Sequence, residues 1–216
     1  SRHARILAAV PLSEEDALAA GAALLATRTD ASIDKGVLRA TRTRSIGAIP
    51  LSSSPARALS EEEATALVAD HLAARGLGEL GWGKEASSLR ERMRALHEAL
   101  GAPWPDVSDE ALASSARQWL TPWGRRLASG APLSSVSMLD ALRSMLPWPQ
   151  AARLDELAPE KLPIPSGGTR PIDWSGPHPV LTLRVQQAFG WTDTPRLVDG
   201  RVPLVLHLTD PAGRPA

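Results

Sequence analysis

The sequence predicts an α+β protein in three parts: a small α+β unit over 1–54, a helical domain over 55–158, and a second small α+β domain over 159–216. Three observations carry this. In the middle, apolar residues recur at spacings of three and four, between Ser starts and Gly or Pro stops. Ahead of them runs an Arg/Thr alternation. Behind them come alternating apolar residues and an Asp-Gly turn signal.

Taken in order, Ile6–Val10 is a short apolar run and reads as a strand. Leu12-Ser-Glu-Glu-Asp-Ala17 then opens a helix to about Ala26, with Ser13 as cap, Asp16 at the third helical position and Leu12 stapling onto Ala17. Residues 31–49 form a strand pair turning at Asp34-Lys35-Gly36, and Ser52-Ser-Ser-Pro55 reads as a linker. Leu59-Ser-Glu-Glu-Glu-Ala64 repeats the capping grammar; Leu67, Val68 and Leu72 make the stripe, and Gly76 ends it. Leu89, Met93, Leu96 and Leu100 mark the next helix, closed by Gly101 and Pro103. Ser108 caps a third, with Leu112, Ser115, Trp119 and Leu120 inward, and Leu139, Leu142 and Leu146 mark a fourth before Pro147. Pro149–Leu157 adds a short fifth.

Beyond Pro159, Leu162–Pro165 and Arg170–Trp174 are extended around a turn at Ser166-Gly167-Gly168. Val180–Phe189 fits both periods. Leu181, Leu183 and Val185 alternate, but Pro179 near the start and Gly190 as a stop favour a helix. Leu197-Val-Asp-Gly-Arg-Val202 predicts a two-residue hairpin, because Asp-Gly supplies positive φ angles.

Composition bounds the function. A chain of 216 residues, 43% apolar, buries a real core. Cations and anions balance at 24 each, so no net field steers it onto a polyanion or membrane. The 21 Arg against three Lys fit either codon usage or guanidinium contacts to phosphate. Without Cys there is no disulfide scaffold or thiolate metal site. The longest uncharged apolar run, Ala17–Thr27, is too short to span a bilayer, and the N-terminus lacks a signal-peptide shape. These features fit a cytoplasmic location.

Few motifs carry chemistry. Gly78-Glu-Leu-Gly-Trp-Gly83-Lys84 has phosphate-loop spacing, but Glu85 stands where a hydroxyl should hold magnesium. A helix rather than a buried strand is predicted before it, so it reads as a connector. The five His form no metal-binding pattern. His207 is expected at the surface or only partly buried. Trp104, Trp123 and Trp148 flank prolines and read as plugs at helix corners, with base stacking the alternative. Arg90, Arg92 and Arg94 around Glu91 read as a solvated helix face. The best nucleic-acid candidates are Arg39, Arg42 and Arg44. On a strand, Arg42 and Arg44 share a face and form a phosphate track with intervening hydroxyls; the alternative is a charged strand kept soluble.

Three blocks, Pro163–Trp174, Pro179–Gly190 and Gly200–Pro215, resemble in this order the C-terminal part of HrpB-type ATP-dependent helicases of the DEAH class. Leu89–Met93, Trp104–Asp109 and Trp119–Pro122 are similar to the family's helical segment, with weaker likeness at Arg5–Ala9 and Ser45–Leu51. The resemblance implies a fragment from behind the motor, with 1–54 as the later half of an oligonucleotide-binding (OB)-like barrel. It implies helicase motor domains in cis, ATP and magnesium bound there, and single-stranded RNA as a partner. The motor's motifs do not occur here, so no catalytic residue carries over and the chain alone is expected to be inactive. The competing expectation is a protein–protein interaction module without a nucleic-acid role.

Overall fold

The computed structural model describes residues 25–46, 48–55 and 59–210, together with Ser13 and Arg214. The expected strand at Ile6–Val10 and nearly all of the helix from Leu12 lie outside these residues; Leu25 and Ala26, at its expected end, are strand.

Strands β1 (Leu25–Asp34), β2 (Val37–Ile46) and β3 (Ile49–Pro55) form an antiparallel sheet in that order. Asp34 pairs with Val37, so Lys35 and Gly36 make the turn, with φ of 49° and 72°. Both left-handed values suit a two-residue hairpin. The expected linker at Ser52–Pro55 is instead the far half of β3: Arg42 pairs with Ser54 and Arg44 with Ser52. Ser and Pro signal a loop only when no strand needs a partner, and here β2 offers its free edge.

Helix α1 (Glu61–Arg75) starts on a complete capping box, Ser60 with Glu63, and stops at Gly76. Helix α2 (Lys84–Leu100) buries Leu89, Met93 and Leu96. The expected third helix breaks at Ser115 into α3 (Asp109–Ser114) and α4 (Ala116–Trp119). Helix α5 (Gly124–Ala128) carried too short a pattern to be read from sequence. Helices α6 (Met138–Met145) and α7 (Trp148–Leu157) match the last two expectations.

A second sheet orders β4 (Lys161–Pro163), β5 (Thr169–Asp173), β6 (Val180–Arg184) and β9 (Val205–Thr209), with β6 and β9 parallel. The helix expected over Val180–Phe189 is therefore strand β6, followed by a 3₁₀ turn at Val185–Ala188. Leu181 and Leu183 are buried while Thr182 and Arg184 are exposed, a period of two. Pairing with β9 decided it. A helix would have needed Phe189 inside, and Phe189 is 68% exposed.

The Asp199-Gly200 hairpin forms between β7 (Arg196–Leu197) and β8 (Val202–Pro203), but Leu197 pairs with Val202, leaving residues 198–201 as the loop. The loop is wider than expected because Val198 is buried and its amide donates to the Leu157 carbonyl of α7 at 3.0 Å. The buried cluster runs from Leu38 through the helices to Ile172, Leu181 and Leu204, so helices and C-terminal sheet share one core.

Candidate nucleic-acid interface

The three arginines singled out in sequence all lie on β2, and the pleat divides them. Arg42 and Arg44 share a face with Leu38, and Arg39 points the other way, as strand alternation requires. Arg39 lies 4.0 Å from Asp34, a loose exposed pair. The ion pairs formed among the described residues involve neither Arg42 nor Arg44, and both are exposed. Thr43, the intervening hydroxyl expected to join them, also falls on the opposite face. Hydroxyls instead come from across the sheet, Ser54 beside Arg42, and Ser52 and Thr27 beside Arg44. The register shifts at Arg44/Ser45. Leu38, at the other end of this face, is buried against the helices. The arrangement sets two exposed guanidiniums beside three hydroxyls on one face, groups of the kind that can donate to phosphate oxygens.

The second arginine cluster, on α2, is not the solvated face expected. Arg92 is 3% exposed. Its Nε donates to the Ala158 carbonyl at 2.5 Å, Nη1 lies 3.3 Å from Glu160, and Nη2 pairs with Asp155. Arg94 donates to the carbonyls of Trp174 and Gly176 at 2.9 and 2.6 Å, and Arg90 to the Val107 carbonyl and Asp109, both at 2.8 Å. Arg92 follows Leu89 by three and precedes Leu96 by four, so it stands on the apolar stripe. That spacing was the available signal.

A cleft of about 750 Å³ opens beside α2, between Trp82 and the turn at Asp106–Asp109. Arg90 stacks 5.2 Å from the Trp82 ring centre. Burial pushes the Glu91 carboxyl above its usual value, Asp173 adds to the rise and Arg94 opposes it. Hydrogen bonds from the Ser175 hydroxyl and amide hold Asp173 below its usual value, and those from the Ser108 amide and hydroxyl do the same for Asp106. One raised and one lowered carboxyl can mark an acid–base pair. Here Asp173 Oδ1 accepts both Ser175 bonds, at 2.9 and 2.7 Å, and His97 Nδ1 sits 2.8 Å from the Trp104 carbonyl oxygen. Together with the bonds of Arg90 and Arg94, these commit His97, Asp106 and Asp109 to holding the chain, and Asp173 is not among the residues that line the cleft.

The phosphate-loop look-alike is closed. Gly81 donates to the Val136 carbonyl at 3.0 Å and accepts from the Met138 amide at 3.3 Å. A Cβ there would come within 2.6 Å of two carbonyl oxygens. Gly83 caps α2, so Glu85 falls in its first turn. The committed Gly81 amide and the Glu85 carboxylate do not fit a triphosphate.

Among the described residues no group of three or more His, Asp or Glu could hold a metal. His71 Nε2 lies 3.1 Å from Glu79 and His207 is exposed. Trp104, Trp119, Trp123 and Trp174 are buried, with the Trp119 indole donating to the Leu112 carbonyl at 2.8 Å. Trp148 departs from the expected core position at 82% exposure, because the start of α7 turns it outward.

Residues 119–216 match the family HrpB_C, described as ATP-dependent helicase C-terminal. The chain is 35% identical over 185 residues to the ATP-dependent RNA helicase HrpB of Escherichia coli (strain K12), covering 84% of this chain but 23% of that protein. A crystal structure of the E. coli DExH-box NTPase HrpB superimposes at a TM-score of 0.67 with 30% identity, over 96% of this chain and 26% of the other. Another, of the E. coli DEAH/RHA helicase HrpB, gives 0.65 with 31% identity, over 89% and 25%. No helix among the described residues is long and apolar enough to cross a membrane. Over residues 119–216 the chain therefore carries the ATP-dependent helicase C-terminal domain, and it spans about a quarter of the length of the HrpB proteins whose C-terminal region it matches.

Proposed function

We propose that this chain is a non-catalytic accessory region behind a helicase motor, and that its β2 face helps hold a single RNA strand for that motor. ATP, magnesium and the hydrolytic residues belong to motor domains elsewhere in the same protein. The observation that carries the reading is the pairing of Arg42 and Arg44 on one exposed face, among Thr27, Ser52 and Ser54. Guanidiniums in such a row contact phosphates without reading bases. The family match supplies the helicase context, and the name of the E. coli relative supplies RNA.

The test is binding of a fluorescein-labelled dodecauridylate to the 216-residue chain, followed by anisotropy at low salt. Binding should weaken as salt rises, because phosphate contacts release counterions. The double substitution Arg42→Gln/Arg44→Gln should reduce the log–log salt slope by about 1.4, the value for two lost contacts on a single strand; an unchanged slope would sink the reading. The isolated chain should hydrolyse no ATP.

A second reading, docking of a protein, is favoured by one observation. Edge strand β3 exposes Ile49 at 67% and Leu51 at 41%. Capture of the motor domains on immobilised chain, undiminished by nuclease and abolished by Ile49→Ser/Leu51→Ser, would favour that role.

A further inference from the structure

We infer that a second phosphate contact lies in the groove between the β1–β2 turn and the last turn of α1, where Lys35 and Arg75 receive the same RNA strand. The inference rests on the reading of the β2 face just given. The groove encloses about 500 Å³, and Ile33, Lys35, Gly36, His71, Arg75 and Glu79 are among its lining residues.

Charge singles it out. Beside four other clefts of the described residues, this one carries net positive charge in its lining, Lys35 and Arg75 against Glu79; the other four are balanced or negative. Glu79 is itself engaged, its Oε1 lying 3.1 Å from His71 Nε2.

Placement ties it to the interface. Ile33 pairs with Leu38, so both stand on the Arg42–Arg44 face, and the groove opens at its foot. Seven residues separate Lys35 from Arg42, roughly 23 Å along a strand. The hairpin tip on one wall of the groove is held by the Leu133 amide, which donates to the Gly36 carbonyl at 2.7 Å.

The turn residue is itself informative. Lys35 occupies a left-handed position, φ 49°, where Asn, Asp or Gly would sit with less strain. A lysine there places an ammonium at the groove mouth at the expense of local conformation. The carbonyl end of α1 points to the same place and disfavours a lone anion. The groove is therefore one contact on a longer strand, with weak affinity for free phosphate.

The same dodecauridylate titration tests this, using Lys35→Asn/Arg75→Gln in the full 216-residue chain. Asn suits the left-handed turn, so the hairpin is kept; an unchanged thermal midpoint verifies this. Binding at 50 mM salt should weaken about tenfold, and the log–log salt slope should shrink by about 1.4, the value for two lost contacts on a single strand. If Arg42→Gln/Arg44→Gln weakens binding while the groove variant leaves affinity and slope unchanged, the groove contact is overturned and the β2 reading survives. If the wild-type chain binds no oligonucleotide, the β2 reading falls, and the groove contact, defined on the same strand, falls with it.

Discussion

Arg92 of α2 donates through Nε to the carbonyl oxygen of Ala158, 66 residues further along the chain, at 2.5 Å. The bond crosses from the helical region to the approach of β4, and Asp155 and Glu160 flank the same guanidinium. Both carboxylates are well exposed, at 86% and 63% of their side chains, whereas the arginine is 4% exposed. The fork therefore satisfies a buried carbonyl and takes its counter-charges at the water boundary.

Removing that fork should cost about 2–3 kcal/mol, the range for a lost charged hydrogen bond with its buried partner orphaned. Arg92→Ala should lower the urea midpoint accordingly. Arg92→Lys should recover little, since one ammonium cannot span all three acceptors. Asp155→Asn should cost under about 1 kcal/mol because that partner is solvated. Equal effects for the arginine and aspartate variants would contradict this account.

Glu91 gives a pH signature. Its folded-state pKa is raised, mainly by burial, so the folded chain binds the proton more tightly than the unfolded chain. Stability from this group is present below the unfolded pKa and is lost as pH rises through the folded one. Glu91→Gln should therefore be more stable than wild type at pH 7, with the difference vanishing below the ordinary glutamate range. Paired melts from pH 3 to 7 check the sign.

Ser60 and Glu63 close the capping box of α1 with bonds of 2.9 and 3.1 Å. Ser60→Ala should destabilise by about 1 kcal/mol, and Ser60→Asp should restore most of it. Chemical denaturation of the three forms decides the point.

Gly124 lies where α5 meets α1, and a Cβ there would sit 2.9 Å from Thr65 Oγ1 and 3.1 Å from the Glu61 carbonyl oxygen. Gly124→Ala should cost about 1–3 kcal/mol, as overpacking does. A midpoint equal to wild type would mean that the helices separate freely.

Two tryptophans should behave in opposite ways. Trp119, 5% exposed, should cost about 3–5 kcal/mol when cut to Ala. Trp148, 82% exposed, should stay within about 0.5 kcal/mol of wild type. Thermal melts of the two variants separate the roles.

Legibility tracked how local each signal was. Ser60, Gly76, Gly101 and Pro147 punctuate helices through bonds or clashes within a few residues, so α1, α2 and α6 could be read directly. The turn at Lys35-Gly36 and the shared face of Arg42 and Arg44 followed from strand alternation. Arg39 was grouped with them because it is adjacent in sequence, and the pleat sends it to the other face. Arg92 was misread because a charged residue on an apolar stripe is ambiguous until its partners are known, and Asp155, Ala158 and Glu160 lie more than 60 residues away.

The residues alone determined the α+β class, the longer middle helices α1, α2, α6 and α7, the face shared by Arg42 and Arg44, and the family likeness, because caps, turns and periodicity act over one or two turns of chain. Tertiary contacts decided β3 over a linker, β6 over a helix and the burial of Arg92. A strand edge or a guanidinium fork is satisfied only by a partner that folding brings from elsewhere in the chain.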